Sequence, residues 1–324
     1  MIWLTWRQLR TQTAVVFGAV VVLAILLAAT GPHLADLYDT AGDDLVNRVS
    51  GAERSVYYGG LAAVLALPAV IGMFWGAPLI TRELEAGTHR LAWNQTVTRT
   101  RWLVTKLGLA VLAAMTAAGL AGLAVTWWSG PIDRSAAGGE ADSASVFFPR
   151  IDPVVFGGRG VVPIGCAAFA FMLGVTLGVI VRRTLPAMAA TLAVFAAVQV
   201  AMPLWVRPHL ADSVDVTLPF TQARPRSISL DAVSAVDFGR PGAWVLSEQT
   251  VNASGRAVGL PASFSDCTSL SDCTAVLVKA GYRQRVIYQP ADHFWALQWA
   301  EAGIFLGLAV ALAGVCVWRI RRVA

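Results

Sequence analysis

Six long apolar stretches, at about 13–30, 59–80, 104–127, 161–181, 185–205 and 296–318, constrain this chain more than any other feature. A helix needs roughly 20 mainly apolar residues to cross the hydrocarbon core of a bilayer, and each stretch meets or nearly meets that length. Lipid offers backbone groups no hydrogen-bond partner, so such runs must satisfy their own, as helices do. Composition agrees: 56% of the 324 residues are hydrophobic and only 14% are charged, where soluble domains carry about a quarter charged residues. The expected fold class is an all-α polytopic membrane protein with six transmembrane helices. The first run follows Trp6-Arg7-Gln8-Leu9-Arg10. It reads as a retained helix rather than a signal peptide, because Ala14 to Ala29 is long for a signal and Thr30-Gly31-Pro32-His33 is a poor cleavage site.

Charge sets the orientation. With the N-terminus in the cytoplasm, the short inside segments hold Arg7, Arg10, Arg82, Arg90, Arg99, Arg101, Lys106, Arg182, Arg183, Arg319, Arg321 and Arg322 against Glu83 and Glu85 alone. The outside segments are longer and net acidic, so both termini are expected to be cytoplasmic. Tryptophan supports the same map. Trp127, Trp128, Trp205, Trp295 and Trp299 fall at the outer boundaries and Trp3, Trp6, Trp75, Trp93, Trp102 and Trp318 at or near the inner ones, leaving Trp244 far from any span. Small residues recur four apart at Gly72 and Gly76, Ala118 and Gly122, and Gly174 and Gly178, which predicts close helix packing within one bundle.

The chain divides into residues 1–205 (helices 1 to 5), an external module at 206–295, and residues 296–324 (helix 6 and a basic tail). The external segments at about 31–58 and 128–160 are expected to be solvated surface. In the module, Ser213 to Leu218 and Arg285 to Tyr288 alternate in polarity and read as short strands, so the module is expected to contain β-structure. Cys267 and Cys273 lie there, six positions apart, and an oxidising exterior favours a local disulfide between them; two free thiols or a partial metal pair are the alternatives. Cys166 and Cys316 sit in spans as packing residues.

Ion-driven carriers place ionisable groups near the bilayer midplane. Here the span centres hold none; Thr176, Thr191 and Gln199 are the polar candidates for a substrate path, and Glu301 is expected to snorkel outward from the last span, with contact to a substrate portal as the alternative. The four histidines lack metal-ligand spacing, no catalytic triad can be assembled, and no G-x-x-x-x-G-K-[ST] loop occurs. The chain is expected to be non-enzymatic, without a metal or a cofactor of its own and without a nucleic-acid partner. Any engine for active transport would be another polypeptide.

Between helices 2 and 3, residues 81–102 read TRELEAGTHRLAWNQTVTRTRW, an amphipathic stretch with Leu84, Leu91 and Trp93 among charged positions. Arg82-Glu83-Leu84-Glu85-Ala86-Gly87-Thr88, with the basic residues after it and Lys106 at the next span, resembles the coupling segment of type-2 ABC exporter permease subunits. Six spans, cytoplasmic ends and a basic N-terminal stretch at Trp3 to Arg10 fit the same family. The resemblance covers the membrane portion and not the module; family members often have short hairpins where this chain inserts the module.

The resemblance implies a permease subunit that pairs with an identical or homologous membrane subunit and is driven by two cytoplasmic ATPases, which bind ATP and Mg. It implies coupling through Glu83, Glu85, Gly87, Thr88 and Arg90. An uncharged path suits export of an amphipathic or hydrophobic substrate. The alternative is a non-transporting membrane scaffold or sensor whose external module binds a ligand or partner. Having only two lysines, Lys106 and Lys279, beside abundant arginine and alanine fits a GC-rich bacterial source.

Overall fold

The structure is a computed structural model and describes residues 2–85, 99–138, 147–228, 233–260 and 269–322. Six helices among these are long and apolar enough to cross a membrane. α1 (Ile2–Ala41) is followed by α2 (Gly51–Ile71), a π-helical turn at Gly72–Gly76 and α3 (Ala77–Glu85), of which Gly51–Arg82 is the second span. α4 (Arg99–Trp128) is the third span, and the short α5 (Gly130–Gly138) follows it. α6 (Val162–Val181) is the fourth, and α7 (Thr184–Ala201), prolonged by helical turns to His209, is the fifth.

α6 is the centre of the bundle, packed by the second, third, fifth and sixth spans. Glycine makes this possible. A Cβ on Gly174 would lie 2.2 Å from the Gly72 carbonyl oxygen, and one on Gly76 would lie 2.4 Å from that of Phe171. Gly178 meets Ala77 and Gly165 meets Ala302 in the same way. The small pairs in the second and fourth spans therefore form one seam at which two backbones touch, and Ala118 and Gly122 pack within the same bundle, Gly122 against Pro163.

The π turn has a local cause. Pro78 has no N–H for the carbonyl four residues back, and its ring would crowd that carbonyl in a regular helix. The carbonyl belongs to Phe74, and the Gln12 side chain of α1 donates to it at 3.1 Å.

Of the two connecting segments expected as solvated surface, the first exposes Asp36 and Asp39 as expected and the second is corrected. Residues 31–58 are mostly helix: α1 runs unbroken through Pro32 to Ala41, and α2 starts at Gly51 behind a Ser50–Glu53 capping box. Glu53 is buried and also pairs with His33 at 3.2 Å. In the second segment Phe147, Ile151 and Arg159 are buried, because it folds back onto the bundle instead of standing in solvent.

Between the fifth and sixth spans lie β1 (Val214–Pro219), β2 (Arg224–Ile228), β3 (Val233–Asp237), β4 (Trp244–Val251), α8 (Leu270–Lys279) and β5 (Arg283–Gln289). The last span is α9 (Phe294–Arg322). β5 is the centre of an antiparallel sheet ordered β1-β5-β4, with Val214 opposite Tyr288 and Pro219 opposite Arg283; β2 and β3 form a hairpin. Both strand segments read from the sequence are present and are paired with each other. Phe220, Leu277, Val286 and Tyr288 build a small core of their own. Trp244, remote from every span in sequence, is buried in a cluster with Ile151, Phe156 and Phe294, so it joins the sheet to the helices.

Candidate functional site

The bundle has two chemically different ends. At the end bearing the chain termini, α3 lies against α6, with the Thr81 side chain packed over Gly178. Thr81 is fully buried and its hydroxyl donates to the Ala77 carbonyl at 2.8 Å. The α6–α7 turn is only Arg182 and Arg183, the first left-handed at φ 56° and the second extended. Thr184, opening α7, donates its backbone N–H to Glu85 Oε1 at 2.8 Å and its hydroxyl to Glu85 Oε2 at 2.8 Å. The Thr184 hydroxyl also lies 3.1 Å from that of Thr81. The Thr184 amide, then its hydroxyl, with Arg183 and Arg82 adding positive charge, holds the Glu85 carboxyl below the usual carboxylate range. Lys106, fully within α4, is buried and donates to the Leu79 carbonyl at 3.4 Å.

Of the residues tied to coupling, Glu83 lies in α3 and Glu85 closes it; Gly87, Thr88 and Arg90 lie outside the described residues. The three path candidates are not gathered at one point. Thr176 is buried and donates to its own helix at Met172 and across to Leu312 at 3.2 Å. Thr191 is buried and donates to Ala187, and Gln199 is half-buried and accepts from the Cys166 thiol at 3.9 Å. Cys273 is disulfide-bonded and Cys166 and Cys316 are free and buried; Cys267 lies outside the described residues.

The other end carries ion pairs that the sequence reading missed. Arg207 Nε donates to Glu301 Oε2 at 2.7 Å and Nη2 to Oε1 at 3.1 Å, with both side chains buried. Glu301 therefore points inward and does not snorkel. The fifth span runs about one turn further than its apolar letters, which brings Arg207 to the depth of Glu301. The Arg207 guanidinium also stacks 4.2 Å from the centre of the Phe156 ring. A usable signal was present: opposite charges at matching depth on the two spans that flank the module. Arg159, fully buried, donates to Asp133 at 2.7 and 2.6 Å and to the Tyr57 hydroxyl. Gln298 accepts from the Val161 and Val162 amides at 2.9 and 3.0 Å and donates to the Phe156 carbonyl, closing the start of α6.

Among the described residues no cluster of His, Cys, Asp or Glu could hold a metal ion. The polar groups at both ends join one helix to another, which is the chemistry of positioning helices. Together with six apolar helices, this defines a multi-pass membrane protein built around a tightly packed central span. Residues 17–207 match the family model described as ABC-2 membrane transporter related, which is more than half of the chain, and the protein belongs to that family. Permeases of this family are generally non-catalytic membrane components that work with an ATPase partner. No curated protein and no solved structure matches the chain.

Proposed function

We propose that this chain is the membrane permease subunit of an ATP-binding-cassette transporter that exports an amphipathic or hydrophobic substrate. Its membership of the ABC-2 family over residues 17–207 is the observation that carries the reading. Both termini face the cytoplasm, and the module at 206–295 lies outside the cell membrane, where the disulfide of Cys273 with Cys267 is at home. Two cytoplasmic ATPase subunits dock on residues 81–102 through Glu83, Glu85, Gly87, Thr88 and Arg90. They bind ATP and Mg, and a second membrane subunit, identical or homologous, completes the path. Short basic loops and tails at the end of the bundle bearing the termini support this orientation.

Affinity purification in mild detergent from the native host, with mass spectrometry of the companions, tests the reading. A stoichiometric soluble subunit with a P-loop is expected, and exchange of Gly87 and Thr88 for bulky charged residues abolishes its recovery. Recovery of the chain without an ATPase, under conditions that preserve a known complex, favours a membrane scaffold or sensor instead.

A further inference from the structure

Glu85 stands where α3 ends and the proposed docking segment continues, yet both its oxygens are engaged inside the chain, by a residue 99 positions away. A helix N-terminus leaves backbone N–H groups without partners and carries partial positive charge. α7 has no cap of its own: Arg183, at the position where a Ser or Asp side chain would accept, makes no capping bond and has no acceptor to offer. The second span supplies the missing acceptor instead. Thr81, one turn earlier on α3, places a second contact against the same threonine. Because the α6–α7 turn has only two residues, the start of α7 cannot swing independently of α6.

We infer that Glu85 is a positioning residue, a strap through which displacement of the docking segment is passed to the start of α7 and to the α6–α7 turn. This deepens the proposed function and rests on its placement of the ATPase at residues 81–102. Glu85 is exposed, so the strap adds little to stability. Its contribution is directional: the residue that closes α3, within the docking segment, holds the first residue of another span.

The test uses the permease purified with its ATPase in lipid nanodiscs. Spin labels at Leu185→Cys on α7 and Trp318→Cys on α9 suit it, since both side chains are exposed and the two free cysteines are buried. The distance between labels is read without nucleotide and with ATP and vanadate, in the parent and in Glu85→Ala and Glu85→Gln. The expected result is a nucleotide-dependent distance change that is lost in Glu85→Ala and partly kept in Glu85→Gln, which retains an acceptor oxygen. Each distance is read at equal amounts of bound ATPase, set by titration for every variant, so that weakened docking and a broken strap are told apart. A full distance change in Glu85→Ala with ATPase bound, or no change in the parent, overturns the inference. Hydrogen exchange at the Thr184 amide reports on the strap by itself: several-fold faster exchange in Glu85→Ala is expected with or without ATPase, and unchanged exchange overturns the cap. Failure of the parent to bind any ATPase overturns the docking assignment instead, and the exchange result still says whether the cap exists.

Discussion

The fourth and fifth spans are consecutive and both strongly apolar, yet they are held in opposite ways. In the most apolar window of the fourth, 78% of residues are buried inside the protein, against 22% in the fifth. Hydrophobicity does not separate them; glycine does. α6 has Gly165, Gly174 and Gly178 where neighbouring backbones press against it, whereas Thr184–Ala201 contains no glycine and turns Leu185, Leu192 and Val194 outward. In lipid, association gains nothing from removing apolar surface from water, so close backbone approach decides which helix sits in the middle. A helix without such contacts is positioned by its ends, here by Glu85 at one and by Arg207 with Glu301 at the other.

The contrast predicts graded effects. Glu301→Ala strands a buried guanidinium and is expected to destabilise by about 3–5 kcal/mol. Thermal unfolding in detergent measures it, and the double change Arg207→Met with Glu301→Leu should recover most of the loss. If the single variant is harmless, α7 is not held at that end. Gly174→Ala forces a methyl into the Gly72 carbonyl and is expected to cost about 1–3 kcal/mol, whereas Ala193→Gly on exposed α7 should cost about 1 kcal/mol, the helix-propensity difference alone. Equal and small losses at both positions would remove the distinction between a packed and a tethered span. Gln298→Leu leaves the Val161 and Val162 amides unpaired at the start of α6, at about 1–3 kcal/mol, read by the same unfolding measurement. The smallest effect is with pH. Because the Glu85 carboxyl is held below its usual range, its bonds to Thr184 are fully present above the unfolded carboxylate pKa and are lost as pH falls through the lowered folded value. Thr184 amide exchange, corrected for intrinsic rate, should therefore lose protection only at acid pH, and protection that does not change down to acid pH would count against the carboxylate as its source.

Much of this was readable from the letters. Span number follows from the length of apolar runs, and the glycine pairs at 72/76 and 174/178 foretold the seam because only a missing side chain lets helices come that close. The strand pair was legible from alternating polarity. What escaped depended on where helices end in three dimensions. Arg207 was assigned to the module because apolar letters stop before it, although the helical turns continue and bury it beside Glu301. The stretch after the first span does expose Asp36 and Asp39 as expected, but nothing in its letters announced that α1 continues through Pro32 to Ala41. Tying α7 to Glu85 needed a contact across 99 residues, which no local pattern announces.

The sheet's central strand has a consequence of its own. β5 ends at Gln289, and only Pro290 and the short turn Ala291–His293 stand between it and the final span. Gln289 donates to the Ala211 carbonyl at 2.8 Å, and its Oε1 accepts from His293 Nδ1 at 3.0 Å, which ties that junction together. The central strand and the last helix are therefore placed by a single short junction, so the start of α9 and the end of β5 have one position between them.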